Sequence, residues 1–185
     1  MIKALIFDFY GVLISDDLWD FTGVSNTDKT EINLLSDKVN IGEIGWDEFC
    51  EGIADVSGKS IDEVKQLYES TSINRPLIHM IGTLSHSYQI GLLTNANRAH
   101  ISRFLDDMGI GELFDSIVVS ADVGVIKPSP EIYEMSLKDL GSKPEESIMI
   151  DDNLMNCEGA ERVGMDYIHF QHFPKFVKDL EAKLK

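Results

Sequence analysis

Residues 2–7, Ile-Lys-Ala-Leu-Ile-Phe, form a short and almost unbroken apolar run that stops at a carboxylate, Asp8. A run of this length without polar alternation reads as a strand buried on both faces, the kind found inside a parallel sheet. The loop Phe9-Tyr10-Gly11-Val12-Leu13 comes next. In open α/β sheets, ligands sit at the carboxyl ends of the strands. Asp8 therefore stands where chemistry is done.

Four further apolar runs of strand length lie at 88–94, 116–120, 147–150 and 166–170, and amphipathic segments of helix length lie between the later ones, at 97–108, 129–140 and 154–163. Strand and helix alternating at this spacing imply an α/β fold with a parallel sheet and right-handed crossovers. Residues 15 to 85 break the rhythm. They read as four helices without strands, at 28–39, 46–56, 60–70 and 75–86. Ser60 with Glu63 resembles a capping box, and Pro76 suits a first helical turn. The expected organisation is an α/β core of residues 1–14 and 86–185. A small inserted α-helical cap, residues 15–85, hangs over Asp8, with hinges near 14–16 and 85–87. The run 175–185 reads as a surface helix after a loop that contains Pro174.

Sixteen basic residues against 32 acidic ones give a formal charge of −16. Such a surface repels phosphate backbones and anionic membrane faces, which argues against nucleic-acid and membrane partners. A phosphorylated substrate would then need local positive charge from a metal ion or a placed lysine. No window approaches the ~18 apolar residues of a membrane span, and no basic segment followed by an apolar core opens the chain. Cys50 and Cys157 stand far apart and outside any C-x-x-C pattern, as in reduced buried thiols. These features together read as a cytoplasmic protein.

The residues just after each strand carry the chemistry. After the first come Asp8 and then Gly11, whose small size lets backbone N–H groups approach an anion. After the second come Thr94 and Asn95, leading into a helix whose N-terminus adds anion-binding N–H groups. After the third comes Gly124-Val125-Ile126-Lys127-Pro128-Ser129-Pro130, a cation held among prolines. After the fourth come the adjacent carboxylates Asp151 and Asp152. Asp8, Asp151 and Asp152 make an oxygen-rich site suited to Mg²⁺, which favours carboxylates, waters and phosphate oxygens. Beside a lysine, such a site suits phosphoryl transfer to a carboxylate nucleophile.

These four motifs resemble, in order, those of the haloacid dehalogenase-like (HAD) hydrolase superfamily. FDFYGVL is similar to its first, LLTN to its second, GVIKPSPEIY to its third and IDDNLMNCEGAERVGM to its fourth. The segment 40–49 resembles a turn-helix of its small helical caps. The fourth motif is closest to sugar-phosphate phosphatases and the phosphatase domain of epoxide hydrolases. The resemblance implies a Rossmann-like HAD core and a Mg²⁺-dependent phosphomonoester hydrolase acting on a small phosphorylated metabolite. Asp8 would be the nucleophile. Gly11, Thr94, Asn95 and Lys127 would hold the phosphoryl group, with Lys127 also neutralising charge. Asp8, Asp152, the backbone carbonyl of Tyr10 and Asp151, directly or through water, would hold the metal.

Tyr10 departs from the phosphatase pattern, which has an acid/base Asp there. Positioned proton transfer is worth typically 10²–10⁴-fold, and a phenol with a reference pKa of about 10 does this poorly. A slow phosphatase is the first expectation, and an impaired member with a binding or regulatory role the second. A 2-haloacid dehalogenase, a class that carries Tyr at this position, is the third. The metal-type fourth motif, with Asn156 where dehalogenases have an Asp, decides for the phosphatase.

Other groups read as structural. The five histidines do not cluster at zinc spacings, and His169 with His172 is no exception. Asp16-Asp17 reads as solvated surface and Asp106-Asp107 as a helix end. Trp19, Phe21, Trp46 and Phe49 read as cap core, or else as the cap's substrate-facing underside. A cap this small leaves both small sugar phosphates and the phosphorylated end of a larger molecule open as substrates, and the sequence leaves the oligomeric state open.

Overall fold

A computed structural model describes residues 1–15, 26–69 and 72–185 of the chain. Its centre is one five-stranded parallel sheet, ordered β3-β2-β1-β4-β5. The strands are β1 (Ala4–Phe7), β2 (Gln89–Thr94), β3 (Ser116–Val119), β4 (Ser147–Asp151) and β5 (Asp166–His169). β1 is the middle strand, with Ala4 opposite Gln89 on one side and Ser147 on the other. Strand order reverses beside it, so Asp8 ends a strand at the switch point, where crevices form in such sheets.

All four side chains of β1 are fully buried, and their two-residue period sorts them between layers. Leu5 and Phe7 join a cluster with Leu77, Ile81, Ile101 and Phe176. Ala4 and Ile6 face the opposite cluster with Ile132, Tyr133, Leu137 and Ala160. Helices α4 (Arg75–Leu84), α5 (Arg98–Met108) and α9 (Phe173–Lys183) thus cover one face, and α7 (Pro130–Leu140) and α8 (Leu154–Arg162) the other. A short helix, α6 (Ser120–Val123), follows β3.

Between β1 and β2 also lie α1 (Asn26–Asn40), α2 (Trp46–Ser57) and α3 (Ile61–Glu69). They have their own apolar cluster, built on Ile32, Val39, Phe49, Ile53 and Val64. The expected helical segment 15–85 therefore divides in its packing. α1–α3 pack with one another, whereas Leu77 and Ile81 of α4 pack with the sheet. Asn74 caps α4, accepting from the Leu77 N–H while its amide donates to the Val12 carbonyl at 3.0 Å. The chain passes between sheet and helices through a narrow neck. Ser15 N–H donates to the Ser72 carbonyl at 2.8 Å, and Asn74 N–H to that of Leu13 at 2.9 Å. Among the described residues this neck, rather than 85–87, joins the two clusters.

The predicted Ser60–Glu63 capping box forms, Ser60 N–H donating to Glu63 at 2.8 Å and Glu63 N–H to Ser60 Oγ at 3.3 Å. The C-terminal helix starts earlier than expected, at Phe173. His172 caps it, its Nδ1 accepting from Lys175 N–H, so Pro174 falls in the first turn instead of a preceding loop. Asp106 and Asp107 close α5 as expected. Asp16, Asp17, Trp19 and Phe21 lie outside the described residues. Among the described residues, no helix is long and apolar enough to cross a membrane.

Candidate active site

Because all five strands run parallel, the loops after β1, β2, β3 and β4 meet at one edge. Lys127 reaches back from the loop after β3 into the middle of it. Its ammonium is 2.8 Å from Asp8 Oδ1, 2.7 Å from Asp151 Oδ2 and 2.9 Å from the Leu93 carbonyl. Asn95 holds that loop from both sides: its Oδ1 accepts from Lys127 N–H at 2.8 Å and its amide donates to the Lys127 carbonyl at 3.0 Å. The predicted anion-binding amide is thus engaged in bracing the lysine, ahead of the cis Lys127–Pro128 peptide.

Asp8, Asp151 and Asp152 bring ligand oxygens within 4.8 Å of one another. An all-carboxylate donor set of this kind fits a hard cation such as Mg²⁺. The three carboxylates are not equivalent. Asp151 is sealed from solvent. Its Oδ1 accepts from Asn153 N–H at 2.9 Å, Asn156 spans both its oxygens at 3.1 and 3.2 Å, and Lys127 takes Oδ2. Asp8 and Asp152 instead line a cavity of about 310 Å³ that reaches toward α1–α3. Asn95, Lys127, Asn153 and Asn156 share its lining.

The charge balance is set by burial. Burial, and then the Asp151 carboxylate, push Asp8 up to about 8 against the pull of Lys127 and the Phe9 N–H. Burial works against the Lys127 charge too, but Asp151 and Asp8 outweigh it and hold its pKa above the ordinary lysine value. Asp152 is also raised, by burial and by Asp151. Three carboxylates facing one ammonium leave this pocket short of positive charge, the condition that a bound cation relieves.

Gly11 has φ +72, and a Cβ on it would collide with the Asp152 carboxylate. Its small size therefore makes room for that group. Thr94 Oγ1 is buried and has no hydrogen-bond partner among the described residues, a donor held in reserve at the strand end. Tyr10 is half-buried and lines the cavity. Its ring meets Phe9 edge-on at 5.0 Å and lies 10° from the plane of His100 at 6.1 Å. Trp46 also stacks on His100, at 5.0 Å, and meets Tyr68 edge-on at 4.8 Å. An aromatic column thus occupies the flank where the phosphatase pattern has its second Asp. Phe49 and Trp46 line the cavity while packing in the α1–α3 cluster.

Sequence reasoning used Asn156 only to weigh the dehalogenase reading and missed its hydrogen bonds to Asp151 and its place in the cavity wall. It passed over His100 as well, which shows no motif and is found only through its stacking. His169 and His172 form no metal cluster among the described residues: the His169 ring lies 2.8 Å from the Asp152 carbonyl and His172 caps α9.

The profile of the haloacid dehalogenase-like hydrolase family matches residues 2–164, and the chain belongs to that family. It is a hydrolase with the parallel α/β fold of the group. Among curated relatives, a D-ribitol-5-phosphate phosphatase of Bacteroides thetaiotaomicron is 26% identical over 188 residues, 90% of each chain. A sesquiterpene phosphatase of Aspergillus oryzae is 30% identical over 174 residues, 90% of this chain and 89% of the other. A HAD family enzyme of Bacteroides thetaiotaomicron, solved as a magnesium complex, superposes with TM-score 0.74 at 25% identity over 92% of this chain and 93% of that one.

Proposed function

We propose that the protein is a Mg²⁺-dependent phosphomonoester hydrolase that works through an aspartyl-phosphate on Asp8. The observation that carries this reading is the meeting of Asp8, Asp151 and Asp152 around buried Lys127 at the end of a cavity. The names of the relatives and the magnesium bound by a structural neighbour support it.

Asp8, Asp152 and the Tyr10 carbonyl would hold the ion, with Asp151 behind them, its oxygens engaged by Lys127, Asn153 and Asn156. When bound, Mg²⁺ supplies positive charge that offsets repulsion between an anionic nucleophile and an anionic phosphate. Lys127 and the Phe9 N–H hold Asp8 Oδ1, and the remaining oxygen attacks phosphorus as the bond to the alcohol breaks. Thr94 Oγ1 and the N–H groups after β1 and β2 receive the phosphoryl oxygens. The departing alkoxide takes a proton from solvent, and water then opens the acyl phosphate to give inorganic phosphate and restore Asp8. Small phosphorylated molecules are the substrate class.

Tyr10 favours one second reading, a 2-haloacid dehalogenase. Against it, three carboxylates to one ammonium repel a carboxylate substrate. The test is hydrolysis of p-nitrophenyl phosphate with and without Mg²⁺, beside Asp8→Asn. The expected result is turnover that requires the metal and vanishes in the variant. Halide release from 2-haloacids in chelator, with no phosphate release, would replace this reading by the second.

A further inference from the structure

The cavity beside Asp8 is polar where the sheet loops line it and apolar where the helices do. On the helical side it meets Ile32 and Val39 of α1, Phe49 and Ile53 of α2, and Val64 and Leu67 of α3. The first five of these are at most 4% exposed and make up most of the α1–α3 core cluster. The space therefore opens into the apolar interior of the helical insert. At about 310 Å³ it stands at the low end of the ~300–1,000 Å³ of ligand pockets.

The described walls bear on the ligand through what they offer and what they lack. Among the described lining residues Lys127 is the only cation, and it is bonded to Asp8 and Asp151. A second phosphate, as in a nucleotide or bisphosphate, would meet no counter-charge among the described lining residues. Among the described residues, the polar lining from the helical side is Ser36 and Asn40, beside the amphipathic Trp46 and Tyr68. A polyol lodged against the six apolar side chains of α1–α3 would leave hydroxyls there without partners, which disfavours it. Next to Asn153 on the polar rim, Leu154 and Met155 are 45% and 64% exposed, extending apolar surface to the edge.

We infer that the substrate is the phosphate monoester of an apolar alcohol, a short hydrocarbon or aryl-alkyl group that lodges between α1, α2 and α3 while its phosphate sits beside Asp8. This rests on the phosphatase reading and adds the chemistry of the leaving group. Phe49 and Ile53 are its specificity-determining residues.

Titration calorimetry of n-alkylphosphonates, methyl to hexyl, into the Mg²⁺-loaded protein tests it without turnover. Affinity should rise roughly fourfold per methylene, the factor equivalent to ~0.8 kcal/mol of transfer free energy. Ile53→Asn should flatten the series. Because Ile53 also packs in the insert, Ser36→Asp places a charge in the same space from a half-buried position and should flatten it too. Methylphosphonate binding with a flat wild-type series overturns the inference and leaves the phosphatase reading standing. A steep series unchanged in both variants overturns the assignment to this cavity. No phosphonate binding, together with no magnesium-dependent phosphate release, overturns the reading beneath it.

Discussion

Lys127 Nζ lies 2.7 Å from Asp151 Oδ2, and both side chains are closed to solvent. The same ammonium is 2.8 Å from Asp8 Oδ1. One buried cation thus joins the ends of β1 and β4, adjacent strands that a positive charge between them keeps from repelling each other. Removing one partner of a buried ionic group leaves the others uncompensated, at a cost of about 3–5 kcal/mol. Lys127→Met should therefore lower stability by that order in urea unfolding of the metal-free protein. Mg²⁺ should recover part of the loss, because it supplies charge to the same carboxylates.

Asp8 gives the metal-free protein a pH dependence of definite sign. Its folded pKa, about 8, lies above the ordinary 3.8 because burial and Asp151 disfavour its charge. Between those values the folded state keeps a proton that the unfolded chain has lost, so stability falls as pH rises toward 8 and levels off beyond. The urea midpoint measured in chelator should decline between pH 5 and pH 8. Asp8→Asn should remove much of that decline and raise the midpoint at pH 8, while abolishing turnover. Stabilisation by Mg²⁺ should be larger at pH 8 than at pH 5, because the metal competes with that proton.

Gly11 admits a carboxylate where another residue would have a methyl group. A Cβ there would overlap both Oδ2 and Cγ of Asp152, at a φ of +72. Gly11→Ala should displace Asp152 and raise the Mg²⁺ concentration for half-maximal activity by roughly 10–100-fold, the scale for disturbing groups that orient metal ligands. Magnesium titration of p-nitrophenyl phosphate hydrolysis measures it. An unchanged titration would mean that Asp152 does not bind the metal.

Gly42 plays the matching part between insert and core. With φ +77, a Cβ on it would stand 2.6 Å from the Ala121 carbonyl, and close by Ser120 Oγ donates to the Asn40 carbonyl at 2.5 Å. Gly42→Ala should cost about 1–3 kcal/mol through its backbone conformation alone. It should also lift the α1–α2 loop from α6 and raise KM more than it lowers kcat. Steady-state kinetics separate the two.

The parts of this site that were legible in the sequence are those written as local runs. The apolar stretch 2–7 ending at Asp8, the Lys127-Pro128 loop and Asp151-Asp152 each follow a strand, and a parallel sheet gathers such ends at one edge. The Ser60–Glu63 box was readable because its partners are three residues apart. Pairings across long separations left no such trace. An apolar helical face shows that α4 is buried but not against which neighbour, and the Ser15–Ser72 neck joins residues 57 apart. Tyr10 was readable as a missing carboxylate. Its stacking on His100, and through it on Trp46, was not, because ring contacts carry no spacing in the chain.

Tyr10→Asp is the substitution that weighs the site's missing acid and base. The tyrosine lines the cavity and stacks on His100, so a carboxyl here would stand beside the space occupied by the ester. p-Nitrophenolate departs almost without protonation, whereas an alkoxide needs a proton, so the two classes of ester should respond differently. With an alkyl phosphate, Tyr10→Asp should raise kcat by an amount approaching the 10²–10⁴-fold of positioned proton transfer. With p-nitrophenyl phosphate the gain should be smaller, limited to opening the aspartyl-phosphate. The new carboxyl should also add a titration to the pH profile, beyond the one that ionisation of Asp8 gives the wild type. A wild type silent on both esters beside an active Tyr10→Asp would place the chain's role in binding on an intact scaffold. Equal gains on both esters would show that the new carboxylate serves only the water step.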